Sequence, residues 1–159
     1  MVQTGSLMRK AIVIALSGLI LFSCNPYQRT PQVCDLKESP SFNADSAYQF
    51  IEDQVGFGFR IPGTDGHQAC GDYLVARLST YGFTVIEQVD TILGFDQNEF
   101  PLRNIIGSIN PESKKRVLLC AHWDSRPYAD QGDKNQDQPI VGANDNASGV
   151  AVVLEMARV

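Results

Sequence analysis

Two stretches of the chain carry apolar side chains at helical spacing. The first helix is predicted to begin at Asn43 or Asp45 and to end before a glycine-rich loop over residues 56–64. The second is predicted over residues 66–81, with Gly82 as its left-handed stop. The apolar faces are formed by Ala47, Phe50, Ile51 and Val55 in the first helix and by Cys70, Leu74, Leu78 and Tyr81 in the second.

Strand patterns follow the second helix. Residues 83–92 and 103–109 predict two strands, and the connection between them suits an antiparallel pair. The continuous apolar run over residues 117–121 is typical of a central strand buried on both faces. The polar stretch 125–139 then predicts a long loop, and long loops at strand ends often carry function.

A last helix is predicted to begin at Asn146 or Ser148. Its apolar face is formed by Val150, Ala151, Leu154 and Ala157, and the helical pattern is still running at Val159. This order of helices and strands predicts the first part of a three-layer α/β/α sandwich with a mixed central sheet. We therefore expect residues 42–159 to be the N-terminal part of a larger catalytic domain.

The N-terminus has the features of a bacterial lipoprotein signal peptide. Two basic residues precede the apolar residues 11–22, a run too short to span a bilayer comfortably. The run ends at Cys24, in a context that resembles a lipobox, so residues 1–24 are predicted to be the signal peptide and Cys24 the lipidation site. An ordinary cleaved signal with an incidental cysteine is the alternative. Residues 25–41, rich in proline, read as a tether.

The signal implies an exported protein, anchored by lipid in the bacterial cell envelope, either in the periplasm or at the outer membrane. The formal net charge of −5 and the lack of any basic run longer than residues 114–116 argue against nucleic-acid binding. Three cysteines remain besides Cys24. Cys70 and Cys120 are expected to be small buried side chains, and whether they or Cys34 form a disulfide is left open.

Two motifs predict a metal site. His122 directly follows the predicted central strand, where one ring nitrogen can bind zinc while Asp124 holds the other N–H. Asp145 lies in a turn between Gly142 and Gly149, just before a helix whose free N–H groups favour negative charge. The alternatives are a hydrogen-bonded histidine without a metal, and an aspartate that caps the helix or forms an Asx-turn.

Two further residues near the motifs are ambiguous. His67, at the start of the second helix, is expected to lie at the surface. Trp123 either lines the site or is a buried core indole.

The two motifs, residues 122–125 and 142–149, together resemble the superfamily of zinc aminopeptidases and animal-type (type II) glutaminyl cyclases. Other segments are similar to the lipoprotein cyclases of Bacteroidetes-type bacteria. They are residues 43–48, 60–64, 67–74, 104–107 and 115–122.

The resemblance implies a phosphorylase/hydrolase-like fold around zinc. In the cyclases one zinc would be held by Asp145 with a glutamate and a histidine that lie beyond this chain, and it polarises the γ-carbonyl of an N-terminal glutamine. A glutamate general base, also beyond the chain, moves a proton from the α-amine to the departing ammonia. In the two-zinc aminopeptidases His122 would bind the first zinc and Asp145 would bridge both. In the one-zinc enzymes His122 would only support the ligands, oriented by Asp124.

The resemblance favours a glutaminyl-peptide cyclotransferase that acts on peptide or protein N-termini. The alternatives are a zinc-dependent aminopeptidase of the same fold and an inactive, truncated lipoprotein. One carboxylate and one imidazole cannot complete a tetrahedral zinc site, so we expect the chain alone to be inactive and to bind zinc weakly.

Overall fold

The structure is a computed structural model that describes residues 38–95 and 97–159. The chain separates into two units, Met1–Ser39 and Pro40–Val159, and every helix and strand described belongs to the second. The predicted signal peptide with its lipidation site Cys24, the tether up to residue 37 and Cys34 lie outside the described residues. No helix within the described ranges has the length and apolar character needed to cross a membrane.

The two predicted N-terminal helices are confirmed. Helix α1 is Ala44–Gly56, and the side chain of Asn43 accepts a backbone hydrogen bond in its first turn. Helix α2 is Asp65–Thr80, capped in the same way by the hydroxyl of Thr64. Gly82 follows with a φ of 83°, a left-handed conformation that glycine adopts without steric cost.

The predicted antiparallel hairpin is also confirmed. Strand β1, Thr84–Leu93, pairs with strand β2, Glu99–Ser108, in one unbroken register. These two strands make up the sheet within the described residues.

Residues 117–121 contradict the prediction of a buried central strand. No described segment pairs with them, and Val117 and Leu118 are 87% and 85% exposed. Cys120, which was expected to be buried in this strand, is exposed as well. A strand forms only through hydrogen bonds to a neighbour, and its side chains are buried only by layers packed on both faces. An apolar sequence alone supplies neither.

The last predicted helix is confirmed as α3, Ser148–Arg158. It follows a turn over Ala143–Ala147 whose backbone departs from helical geometry at Asp145 and Asn146. The polar residues 125–139 form no helix or strand, as predicted.

The core lies where the three helices meet Trp123, just after the apolar residues 117–121. Its buried members are Phe50, Cys70, Leu74, Trp123, Val150, Ala151 and Leu154. Each large apolar side chain buried there stabilises the fold by about 1.5–3 kcal/mol. Because Trp123 and the start of α3 both belong to this cluster, the core fixes the two segments that carry the predicted metal ligands.

Candidate metal centre

The two side chains predicted to bind a metal meet in the structure. His122 Nε2 lies 2.9 Å from Asp145 Oδ1, although the residues are 23 positions apart in the sequence. The side chains are 49% and 53% exposed, so a ligand can reach them from solvent. This contact agrees with the metal-ligand interpretation and also with the alternative of a hydrogen-bonded histidine, so the role of His122 stays a prediction.

The turn before α3 leaves the carboxylate of Asp145 available. Gly142 begins this turn with a φ of 67°, and the N–H of Ala147 donates to the Gly142 carbonyl at 3.1 Å. The side chain of Asn146 accepts from the N–H of Gly149 at 3.2 Å. Because Asn146 satisfies this helix N–H, the alternative role of Asp145 as a helix cap is not realised.

Asp124 faces the opposite side of the imidazole. Its Oδ1 lies 3.4 Å from His122 Nδ1, the position predicted for an orienting carboxylate. When Nε2 carries the proton, it donates to Asp145 Oδ1; when Nδ1 carries it, Nε2 presents a lone pair towards Asp145. A nitrogen lone pair and a carboxylate oxygen that face each other at hydrogen-bonding distance form a site that attracts a cation.

Arg126 is a neighbour of this site that the sequence did not reveal. Its Nη2 lies 3.4 Å from Asp145 Oδ2, and its Nη1 lies 2.7 Å from Asp130 Oδ1. The guanidinium places positive charge beside the carboxylate and competes with any metal for Oδ2. An arginine in a polar loop has no signature that separates it from an ordinary surface residue.

The donor set fits part of a zinc site. Imidazole nitrogen and carboxylate oxygen are both common zinc ligands, and a carboxylate on the second ring nitrogen is the usual support for a zinc-binding histidine. Within residues 38–95 and 97–159 no group of three His, Cys, Asp or Glu side chains converges. His122 and Asp145 could therefore hold at most two of the four positions of a tetrahedral site.

His67 contradicts the prediction of a surface position. It is only 7% exposed, and its ring stacks on that of Trp123 with centroids 4.0 Å apart. Burial lowers the pKa of His67 below its ordinary value. The indole N–H of Trp123 donates to the Arg103 carbonyl at 3.2 Å, and the ring belongs to the core cluster. Of the two alternatives for Trp123, the structure therefore shows the buried core indole.

Arg60 is a second residue whose place the sequence did not predict. Its backbone N–H donates to the hydroxyl of Ser125 at 2.9 Å, and the N–H of Ser125 donates back to the Arg60 carbonyl at 3.0 Å. An arginine in a glycine- and proline-containing loop is ordinarily exposed. Here it is buried beside the segment that carries His122.

Comparison with known proteins finds similarity to a peptidase family and to glutaminyl cyclases. Residues 104–159 match the model of peptidase family M28. The glutaminyl-peptide cyclotransferase of Bos taurus is 34% identical over 102 residues, which are 62% of this chain and 27% of that protein.

Two solved bacterial structures are more similar. The glutaminyl cyclase of Bacteroides thetaiotaomicron, solved with bound N-acetylhistamine, is 50% identical with a TM-score of 0.74, over 76% of this chain and 42% of that chain. A Zn-dependent exopeptidase from Parabacteroides distasonis is 49% identical with a TM-score of 0.73, over 76% of this chain and 42% of that chain.

The chain thus spans 27% of the curated relative and 42% of each of these solved chains. The similarity of fold confirms the predicted α/β class, and the name of the exopeptidase confirms that zinc occurs in the family. The chain is therefore similar to the M28 peptidases and the glutaminyl cyclases, as its two motifs predict.

Proposed function

We propose that this chain supplies one side of the zinc site of a glutaminyl-peptide cyclotransferase, which converts N-terminal glutamine to pyroglutamate and releases ammonia. The approach of His122 Nε2 and Asp145 Oδ1 to 2.9 Å carries the proposal. The 50% identity to a solved glutaminyl cyclase supports the cyclase reaction. The activity belongs to a polypeptide that combines this chain with the remaining ligands and the general base.

Each site residue has a role in this proposal. Asp145 holds the zinc, and His122 either binds it directly or supports Asp145 through a hydrogen bond. Bound zinc supplies a Lewis acid that polarises the γ-carbonyl of the glutamine. Asp124 keeps the imidazole in one orientation. Because the side chains of His122 and Asp145 are about half exposed, a peptide N-terminus can approach them from solvent.

The test uses a polypeptide that contains this chain and the missing ligands, incubated with a peptide that begins with glutamine. We expect ammonia in solution and a peptide 17 Da lighter with a blocked N-terminus, because cyclisation expels one ammonia. The same peptide beginning with asparagine is the matched control. Release of free glutamine with no blocked product would refute the cyclase proposal.

A two-zinc aminopeptidase is the second candidate. The match of residues 104–159 to peptidase family M28 and the similarity to a Zn-dependent exopeptidase favour it. The two candidates differ in metal content, because Asp145 would bridge two ions in the aminopeptidase. Two zinc ions per polypeptide with release of free amino acids would establish the peptidase. One zinc with ammonia release would establish the cyclase.

For the 159-residue chain alone we propose weak zinc binding and no turnover, because the described residues supply only two ligands. An inactive lipoprotein, the third hypothesis from the sequence, predicts that the longer polypeptide is inactive too. Ammonia release by the longer polypeptide would support the cyclase and contradict the inactive lipoprotein.

A further inference from the structure

A buried arginine joins the two segments that carry the proposed zinc ligands. The side chain of Arg60 is 0% exposed. Its Nε donates to the Trp123 carbonyl, its Nη1 to the Val141 carbonyl and its Nη2 to the Gly142 carbonyl, each at 2.9 Å. One planar group therefore connects the segment after residue 121 to the turn before α3.

The partners of Arg60 are backbone carbonyls. Within the described part of the chain no carboxylate forms an ion pair with its guanidinium. Burial lowers the pKa of Arg60, since a charge removed from water is costly. A neutral side chain would avoid that cost but could not direct three N–H donors at fixed angles to two separate segments. Arginine is therefore suited to this position because its guanidinium directs several N–H donors at once.

The turn that contains Asp145 is held at both ends. The Gly142 carbonyl, which accepts from Arg60, also accepts the N–H of Ala147 and so closes the turn. At the other end, Gln54 Nε2 donates to the Ala147 carbonyl at 3.0 Å, and Gln54 is fully buried. The position of Asp145 therefore depends on contacts made by α1 and by the loop that follows it.

We propose that Arg60 is a positioning residue that sets the separation of His122 and Asp145 by holding both of their segments through backbone carbonyls. The inference rests on the proposed function, because the pair is expected to hold zinc only if that function is correct. Arg60 acts before any metal binds, so its effect is measurable without activity.

The test is nitrogen NMR of the 159-residue chain with labelled histidine. Only two histidines are present, so His122 and His67 give two separate imidazole signals. The variant Arg60→Lys keeps the charge and the alkyl stem, but one nitrogen cannot reach carbonyls on both segments. We expect its His122 signals to move towards those of Asp145→Asn, in which the imidazole has lost its carboxylate partner. Arg77→Lys, which changes an arginine of α2 that pairs with Asp53, is the control and should leave His122 unchanged.

The outcomes are distinct. Unchanged His122 signals in a folded Arg60→Lys variant would overturn the proposal. If that variant fails to fold, the unmodified chain decides through the guanidinium signals of Arg60. Slow exchange of its Nε–H with resolved Nη signals supports the three-carbonyl contact. Rapid exchange with averaged Nη signals refutes it.

A zinc titration of the same samples connects the geometry to the metal. Loss of groups that orient metal ligands typically weakens metal binding by about 10–100-fold, and we expect a decrease in that range for Arg60→Lys, read from the His122 signals. If zinc does not bind even the unmodified chain, while Arg60→Lys still shifts His122, the zinc proposal fails and the positioning role remains.

Discussion

At the scale of single residues, one imidazole lies between two carboxylates. His122 faces Asp145 through Nε2 at 2.9 Å and Asp124 through Nδ1 at 3.4 Å. The shorter contact belongs to the proposed metal ligand and the longer one to the orienting group. Arg126 reaches the other oxygen of Asp145 at 3.4 Å, so the carboxylate lies between the imidazole and a positive group that competes with a metal.

The substitution Asp145→Asn tests this arrangement. Removing the negative charge while keeping the shape of the side chain should weaken zinc binding by about tenfold or more, since neutral amides are poor zinc ligands. Competition with a chromophoric chelator measures the affinity. Asp130→Asn is the matched control, because Asp130 also contacts Arg126 but not His122. Equal affinities of both variants would contradict the assignment of Asp145.

At the scale of helices, a buried glutamate connects the end of α3 to the start of α1. Glu155 is 0% exposed, and its carboxylate accepts from the N–H of Asn43 at 2.7 Å. Arg158 donates to both of its oxygens, each at 2.7 Å. These hydrogen bonds to the charged form, those from Arg158 above all, lower the pKa of Glu155 from 4.5 to about 2.

This lowered pKa predicts a pH dependence of stability. The folded-state pKa lies below the unfolded-state value, so the stabilisation is fully present above pH 4.5 and is lost as the pH falls towards 2. Urea unfolding across this range should show the loss in the unmodified chain and a smaller one in Glu155→Gln. Glu52→Gln, at an exposed position of α1, is the control. The same profile for both variants would refute the role of Glu155.

At the scale of the whole described unit, an open apolar groove adjoins the core, and Leu74, Trp123 and Leu154 belong to both. Parts of β2, residues 117–121 and α3 line this groove. Val117, Leu118 and Met156 are at least half exposed. The stability of the unit therefore depends on the core cluster between the three helices and not on the predicted central strand.

The substitution Leu154→Ala tests this dependence. Leu154 is 2% exposed within the core cluster, so its truncation should lower the free energy of unfolding by about 2–5 kcal/mol. Val152→Ala on the same helix removes a side chain that is 49% exposed and should cost less than about 1 kcal/mol. Chemical denaturation measures both. Similar losses would show that Leu154 contributes no more to stability than the half-exposed Val152, and would contradict its place in the core.

Much of the site could be predicted because its chemistry lies in short segments. The turn over residues 142–149 and the His-x-Asp spacing at His122 are local patterns, and the structure brings both together. The contacts of Arg60 with Trp123 and of Gln54 with Ala147 could not be predicted, because these carbonyl oxygens are more than sixty residues away. Such oxygens are present at every position of the chain, so the sequence carries no sign of which one a donor will find.

The lipid anchor at Cys24, the location in the cell envelope and the peptide substrates stay predictions from the sequence. The helices and the hairpin were determined by the sequence itself, since hydrophobic period, capping residues and glycine positions act over a few residues. The contact of His122 with Asp145, 23 residues apart, depends on the tertiary structure as well. Burial was decided only by the tertiary structure. His67 is covered because the ring of Trp123 stacks on it, and Val117 is exposed because no described layer packs on it. Burial depends on what other segments place nearby, and no local pattern contains that information.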